Sequence, residues 1–240
     1  MKRGPQRKSS VRRAVYTALI GQYEPLAEQP MAGSSDTDFI CLTDVPDLVS
    51  DTWQIQRIDP VLPEDPIRSA RYLKICGHAC LADYQQTLWI DARVILDADP
   101  TELLETWLEG IDVAIPMHSF RESVGAEFAE IIRLGIDDPA RVQEQLGHYV
   151  GSDETRLGAD VPWTGMIARR SSASVREAMD EWMRHVWRYS RRDQLSFVEA
   201  MARRGMPYRL VEIDNLESDL HRWPRRPMVR ALAPTPRVTT

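Results

Sequence analysis

The feature that most constrains the fold of this chain is a regular alternation of short apolar runs with longer amphipathic runs. Segments rich in β-branched and aromatic residues predict strands at 11–20, 39–45, 53–59, 87–96, 113–118, 164–170 and 208–213. Between them, segments 66–81, 100–108, 121–134, 139–149, 172–187 and 192–204 have the spacing of helices. Three helices are preceded by an Asp-Pro pair (Asp65-Pro66, Asp99-Pro100 and Asp138-Pro139), which places an N-cap residue before a Pro at the first helical position.

Strands separated by helices predict an α/β fold, here a single domain with a mainly parallel central sheet covered by helices on both faces. With 43% apolar residues the chain can bury a core of this size. We expect the domain to span residues 14–220, with ligands bound at the carboxyl ends of the strands. Because no Walker-type loop or Gly-x-Gly-x-x-Gly motif follows the first strand, the sequence argues against a P-loop enzyme or a dinucleotide-binding dehydrogenase.

The charges are unevenly distributed along the chain, which has a formal net charge of -6. Residues 1–13 carry six bases and no acid, residues 221–240 carry five arginines and no acid, and residues 14–220 carry 19 bases against 36 acids. An acidic body is unsuited to holding nucleic acid over a broad surface, so only the basic ends keep that idea open. No stretch approaches the roughly 20 apolar residues of a membrane helix. We therefore expect a soluble, cytoplasmic protein with two flexible basic tails, 1–13 and 221–240.

One face of the helix predicted at 66–81 is basic. At about 100° per residue, Arg68, Arg71, Lys74 and His78 fall within roughly a third of the helix circumference. In an acidic body this stripe predicts a site for an anion such as a diphosphate, which Arg binds in a bidentate manner and Lys as a point charge. The alternative is a solvated helix face whose bases pair with nearby acids.

An acid and a base interrupt the apolar strand predicted at 87–96. Since burying an unpaired charge is costly, Asp91 must lie at a strand end, pair with another group or bind a cation. Mg²⁺ or Mn²⁺ held by one or two carboxylates plus nucleotide phosphate oxygens would suit it. The alternative is an ion pair between Asp91 and Arg93 on one face of the strand.

Two further groups carry candidate chemistry. Asp193 and Gln194 open the helix predicted at 192–204 and suit the recognition of sugar hydroxyls, although Asp193 could instead be a first-turn acid that is favourable to the helix dipole. His118 lies with Arg121 and Glu127 where a strand passes into a helix. It is either a general base or a structural histidine.

Taken together, five segments resemble the domain-of-unknown-function 616 family, a set of proposed glycosyltransferase domains from bacteria and from plant proteins of the secretory pathway. The similarity runs from about residue 15 to 213 and lies in segments 15–24, 71–78, 88–92, 116–121 and 190–197. The resemblance implies a single GT-A-like (Rossmann-like) domain that moves a sugar from a nucleotide-diphosphate donor to an unidentified hydroxyl acceptor. Two alternatives are a non-catalytic nucleotide-sugar-binding module and a glycosyltransferase that acts on modified nucleic-acid bases.

The resemblance also implies roles for single residues. Residues that would bind the donor are Thr17, Gly21, Tyr23, Arg68, Arg71, Lys74 and Arg93. Asp91 would hold the metal, Mn²⁺ or Mg²⁺, and Asp193 and Gln194 would lie beside the transferred sugar. The Asp-Gln pair is similar to that of retaining enzymes and slightly favours retention, whereas an inverting enzyme would need Asp193 or His118 as its base.

The sequence departs from the family pattern at the metal motif. The usual Asp-x-Asp is replaced by Asp91-Ala92-Arg93. Either the metal takes a single carboxylate from this motif, helped by a residue such as His118 or Asp193, or Arg93 itself neutralises the charge of the phosphates.

Overall fold

The computed structural model describes residues 11–21 and 24–224. The strands in these ranges are β1 (Arg13–Leu19), β2 (Asp38–Thr43), β3 (Gln54–Arg57), β4 (Gln86–Ile90), β5 (Ile95–Leu96), β6 (Val113–Pro116), β7 (Met166–Arg170), β8 (Arg209–Val211) and β9 (His221–Arg222). The helices are α1 (Pro66–Cys76), α2 (Pro100–Trp107), α3 (Val124–Leu134), α4 (Pro139–Asp153), α5 (Ala173–Arg188) and α6 (Gln194–Arg204). The predicted alternation of strands and helices is confirmed.

Seven strands form the central sheet in the order β3-β2-β1-β4-β7-β6-β8. The pairs β1 with β2, β1 with β4, β2 with β3, and β6 with β8 are parallel, whereas β7 runs antiparallel to both of its neighbours, β4 and β6. Six of the seven strands in the described sheet therefore point the same way. This confirms the mainly parallel sheet and gathers the carboxyl ends of those strands at one edge.

Side chains of β1 alternate between two cores, one on each face of the sheet. Tyr16 and Ala18 belong to a core built with residues of α1, α3, α4, α5 and α6. Val15 and Leu19 belong to a second core that includes Leu103 of α2. Helices thus cover both faces, as the sequence predicts.

The Asp-Pro signals mark helix starts as predicted. The side chains of Asp65, Asp99 and Asp138 accept hydrogen bonds from main-chain N–H groups in the first turns of α1, α2 and α4. Each of these helices has Pro at its first position, where no intrahelical N–H is needed.

The helix predicted at 66–81 is too long. α1 ends at Cys76 because Gly77 adopts a φ of 76°, a conformation that glycine reaches without steric cost. His78 lies beyond the helix, where its Nδ1 accepts the N–H of Cys80 (3.3 Å). His78 is therefore not part of the basic face of α1.

The single strand predicted at 87–96 is also wrong. β4 ends at Ile90, and a turn follows in which Val94 N donates to Asp91 O (2.8 Å). The chain then enters β5, which pairs with β9 in a separate two-stranded sheet. The break places Asp91 and Arg93 at a strand end instead of within a buried strand.

The described fold extends past the bounds of 14 and 220 that the sequence suggested. β1 begins at Arg13, and β9 is formed by His221 and Arg222. The rest of the basic N-terminal and C-terminal segments, 1–10 and 225–240, lies outside the described residues. Within the part of the chain that the structure covers, no helix has the length and apolar character needed to traverse a bilayer.

Candidate active site

A cavity of about 380 Å³ opens at the carboxyl ends of β1 and β4. Six of the residues singled out from the sequence line it, in three pairs: Arg71 and Lys74 from α1, Asp91 and Arg93 from the turn after β4, and Asp193 and Gln194 from the start of α6. Elements far apart in the sequence thus deliver both charges and hydrogen-bonding groups to one space. This is the edge of the sheet at which ligands of such folds bind.

Lys74 lies at the centre of this group, with its side chain only 1% exposed. Its Nζ is 2.8 Å from Asp193 Oδ2 and 3.4 Å from Asp91 Oδ1, and it donates to Thr164 Oγ1 (3.0 Å). Asp91 Oδ1 also accepts the indole N–H of Trp89 (3.0 Å). The ammonium of Lys74 therefore pairs with two carboxylates from different elements, and this pairing offsets the cost of burying its positive charge.

Asp193 is held in place from several directions. Its side chain is 1% exposed, and Arg71 Nε lies 3.5 Å from its Oδ2. Burial alone would raise the pKa of Asp193, but Arg71 and Lys74 lower it well below the usual carboxyl range. Its Oδ1 accepts the N–H of Gln194 (3.2 Å), and its main-chain carbonyl accepts the indole N–H of Trp182 (2.9 Å). Asp193 is therefore an ionised, fixed carboxylate at neutral pH.

The amide of Gln194 is engaged at both ends. Its Oε1 accepts from Arg192 Nη2 (3.0 Å), and its Nε2 donates to Pro162 O (3.4 Å). These bonds orient the side chain at the cavity wall. A ligand that uses the amide would share or replace one of them.

Sequence reasoning missed Glu24, which also lines the cavity. Burial raises the pKa of Glu24 to about 7, and the charge of Asp91 adds to this effect while that of Arg93 opposes it. The sequence feature that could have identified Glu24 is its position in the loop that follows the carboxyl end of the first strand. Lining residues that carried no recognised site signal include Thr164, Arg191, Arg192 and Trp223.

Arg68 does not line the cavity, although it shares the helix face of Arg71 and Lys74. Its guanidinium donates to Asp65 Oδ2 (2.8 Å) and to the carbonyls of Val186 (3.0 Å) and Tyr189 (2.9 Å) at the end of α5. It therefore ties α1 to α5. The pairing of basic residues with acids, which was the alternative interpretation of this face, does occur, but Lys74 is buried and not solvated.

Thr17 and Gly21 also lie off the cavity wall. Thr17 is completely buried on the sheet face opposite to Ala18, and Ala18 lines the cavity. Gly21 lies in the turn after β1 with a φ of 72°, and its N–H donates to Asp44 Oδ1 (2.9 Å). Tyr23, the third residue predicted in this loop, lies outside the described residues.

His118 is the one predicted catalytic residue that does not line the cavity. Its Nδ1 accepts the N–H of Phe120 (3.1 Å). Burial lowers the pKa of His118 to about 4, and the charges of Arg121 and Arg192 contribute in the same direction. The imidazole is therefore neutral at pH 7, and its Nδ1 is already occupied as the acceptor of the N–H of Phe120.

Asp91 is the residue predicted to bind a metal, and its surroundings limit the kind of ion that fits. In the described ranges, no three His, Cys, Asp or Glu side chains gather to hold a metal ion. Mg²⁺ and Mn²⁺ are nevertheless often held by one or two protein carboxylates, with phosphate oxygens and water as the other ligands. Asp91 offers one carboxylate to such a cation, so the remaining ligands would have to come from a bound diphosphate and water. The ion pair of Asp91 is with Lys74 and not with Arg93.

Several solved glycosyltransferase structures match this chain at low sequence identity. The bifunctional glycosyltransferase WbbM matches with a TM-score of 0.45 and 14% identity over 87% of this chain and 40% of that chain. Core-mannan synthase A of Aspergillus fumigatus, in an Mn/GDP form, matches with a TM-score of 0.48 and 7% identity over 82% of this chain and 71% of that chain. Mouse xyloside xylosyltransferase 1 matches with a TM-score of 0.47 and 10% identity over 83% of this chain and 84% of that chain.

At the sequence level, the chain is 26% identical over 154 residues to the probable hexosyltransferase MUCI70 of Arabidopsis thaliana. The match covers 60% of this chain and 26% of that protein, so the chain spans about a quarter of the length of this curated relative. A family model described as the TOD1/MUCI70 glycosyltransferase-like domain matches residues 42–214, which include every pair of cavity residues contributed by α1, the turn after β4 and α6. This chain belongs to the TOD1/MUCI70 glycosyltransferase-like domain family.

Proposed function

We propose that this protein is a GT-A-like glycosyltransferase that moves a hexose or related sugar from a nucleotide-diphosphate donor to a hydroxyl acceptor. The observation that carries the proposal is the buried ammonium of Lys74 between Asp91 and Asp193, inside a cavity that Arg71 and Arg93 also line. When the bond between sugar and phosphate breaks, negative charge develops on the leaving diphosphate. Cations fixed in advance around that position lower the barrier because they need no reorganisation.

The diphosphate is assigned to the side of the cavity formed by α1 and the turn after β4. Lys74 offers a point charge there, while the guanidinium groups of Arg71 and Arg93 can bind phosphate oxygens in a bidentate manner. Asp91 would hold Mn²⁺ or Mg²⁺ together with the diphosphate. Such an ion, when bound, withdraws charge from the leaving group as a Lewis acid.

The donor sugar is assigned to the side of Asp193 and Gln194. The lowered pKa of Asp193 keeps it ionised, so it can accept hydrogen bonds from sugar hydroxyls and stabilise positive charge at the anomeric carbon. The same lowered pKa makes it a weak general base. Because His118 does not line the cavity, neither base suggested from the sequence is well suited to an inverting reaction, and the similarity of the Asp193-Gln194 pair to that of retaining enzymes leads us to favour retention.

The test is a panel of nucleotide sugars, with binding measured by calorimetry and hydrolysis or transfer by nucleotide release, with and without Mn²⁺. We expect Asp193→Asn to lower kcat about 100-fold to 1000-fold, the scale observed when one group that stabilises a transition state is lost. Asp91→Ala should abolish any stimulation by Mn²⁺. Asp47→Asn makes the matched exchange of carboxylate for amide at an exposed position away from the cavity and should leave both unchanged.

The outcomes separate this proposal from its rivals. If no nucleotide sugar binds or turns over under either condition, the proposal is wrong. If a nucleotide sugar binds and is neither hydrolysed nor transferred, the chain is a non-catalytic binding module. The anomeric configuration of the product, read by NMR, decides the stereochemistry, and inversion would point to Glu24, whose pKa of about 7 suits a general base.

A further inference from the structure

The segment at residues 215–224 follows the part of the chain that matches the family, and it is built firmly onto the sheet. Asn215 is 1% exposed, accepts the N–H of Ser119 (2.7 Å) and donates to Met117 O (2.8 Å) after β6. Further along, β9 pairs with β5, the strand that begins directly after the Asp91 turn. The segment thereby brings Trp223 to the cavity.

Trp223 forms an aromatic wall of the cavity together with Trp163. Their ring centroids are 5.5 Å apart with an interplanar angle of 52°, and Trp163 also stacks on His221 at 5.4 Å and 29°. A Cβ placed on Gly165 would lie 2.2 Å from the ring of Trp163, so this indole packs directly against the backbone there. Since Gly165 O accepts the N–H of Asp91 (2.8 Å), the wall is fastened to the turn that carries Asp91.

The cavity has a buried floor and a more open rim. Lys74 and Asp193 are each 1% exposed, and Trp163 is 5% exposed, whereas Trp223 is partly exposed. In the proposed function the reacting end of the donor lies at the floor beside Asp193. An acceptor that arrives from solvent after the donor passes this rim, of which Trp223 is one of the partly exposed residues.

The chemistry of the wall suits a sugar ring. One face of a pyranose presents mainly C–H groups, and an indole offers a large, rigid apolar surface on which such a face can stack. We infer that Trp223, supported by Trp163, is the platform for the acceptor, and that the acceptor is a carbohydrate whose ring stacks on this indole. The inference rests on the proposed function and adds the class of the second substrate.

The experiment measures transfer from a nucleotide sugar to p-nitrophenyl hexosides and, as a non-sugar hydroxyl, to a serine-containing peptide. Trp223→Ala should raise the KM for the hexoside about tenfold, whereas Trp223→Phe, which keeps an aromatic face, should change it less than about threefold. Trp187→Ala is the matched control, because Trp187 is also partly exposed but lies on α5 against Tyr72. The Kd of the nucleotide sugar, measured by calorimetry, should stay within about twofold for all three variants.

Failure of this inference is distinguishable from failure of the proposed function. Transfer to the peptide but not to the hexosides would overturn the inference, as would a Trp223→Ala variant that weakens donor binding and leaves the hexoside KM unchanged. Hydrolysis of the donor with no transfer to any hexoside would also overturn it, while leaving the donor chemistry intact. If no nucleotide sugar binds or is hydrolysed, both proposals fall together.

Discussion

Two buried cations, Lys74 in the last turn of α1 and Arg169 on β7, have different surroundings. Lys74 extends its side chain to Asp91 and Asp193 at the carboxyl edge of the sheet. Arg169, 6% exposed, lies towards the opposite edge, where it donates to the carbonyls of Lys74 and Ile75 and to the hydroxyl of Tyr16. One cation is thus shared by carboxylates, and the other by neutral oxygens at the end of a helix.

Both cations line cavities, and the cavity around Arg169 is the larger, at about 490 Å³ against 380 Å³. Volume alone would therefore select the cavity around Arg169 instead of the one to which we assign the donor. Arg169 completes the hydrogen bonding of carbonyls at the C-terminus of α1, where the helix dipole favours a positive charge, and this is a structural task. Asp180, an acid that lines the same cavity, accepts from the thiol of Cys76 (3.9 Å) and does not form an ion pair with Arg169 among the described residues. The comparison indicates that a buried cation marks an anion site when it is paired with side-chain carboxylates, as Lys74 is, and not when it is bonded to the carbonyls of a helix end, as Arg169 is.

The largest effect should come from Lys74→Met, which keeps most of the side-chain volume and removes the charge. Asp193 would then remain buried with Arg71 as its nearby cation. We expect the free energy of unfolding to fall by about 3 kcal/mol, as when a buried ion pair loses one partner. The Kd for a nucleotide sugar should rise about 30-fold to 100-fold. Urea denaturation and calorimetry measure the two effects, and a lowered stability with an unchanged Kd would contradict the assignment of Lys74 to the diphosphate.

Arg169→Met makes the matched change at the other edge of the sheet. It removes the donor to two main-chain carbonyls and to the hydroxyl of Tyr16, so we expect the free energy of unfolding to fall by about 3 kcal/mol here as well. The Kd for the nucleotide sugar should stay within about threefold of the wild type. If this variant loses affinity as strongly as Lys74→Met, the two edges are coupled and the contrast between them is wrong.

Much of the fold was readable from the sequence because its signals are local. Asp-Pro pairs start helices through bonds within four residues, and the alternation of strands and helices leads to a mainly parallel sheet. The errors arose where apolar character continues across a turn. Asp91 and Arg93 were signals of the break after Ile90, but the apolar residues that follow them were interpreted as a continuation of the same strand. At the end of α1 only Gly77 marks a stop that the apolar pattern runs past.

The site was partly readable for a different reason. Parallel strands bring their carboxyl ends together, so Asp91 could be placed at that edge from the sequence. The position of Arg71 and Lys74 beside the donor phosphates came from the family resemblance. Helical spacing groups Arg68 with Arg71 and Lys74, but it cannot show that the end of α5 packs over Arg68. Trp223 was assigned to a basic tail because its partners, Trp163 and β5, are more than 50 residues away in sequence.

The smallest predicted effect is a pH dependence of nucleotide-sugar affinity that arises from Glu24. Burial and Asp91 raise the pKa of Glu24 from its usual value near 4.5 to about 7. Between these values the folded protein holds a proton that the unfolded chain has lost, so this residue contributes stability at low pH that is lost as pH rises through 7. Ionised Glu24 also repels a diphosphate. We therefore expect the affinity for a nucleotide sugar to fall about fivefold between pH 6 and pH 8.

Glu24→Gln fixes the neutral form and should flatten this dependence, with the affinity at pH 8 close to that of the wild type at pH 6. A nucleotide sugar is the appropriate ligand because its two phosphates do not titrate in this range, unlike the terminal phosphate of a free nucleoside diphosphate. Calorimetry at pH 6, 7 and 8 and a fixed Mn²⁺ concentration measures the change. Arg169→Met should keep the wild-type dependence, because Arg169 lines the other cavity. A Glu24→Gln variant that retains the full decline would show that another group controls the charge at this edge.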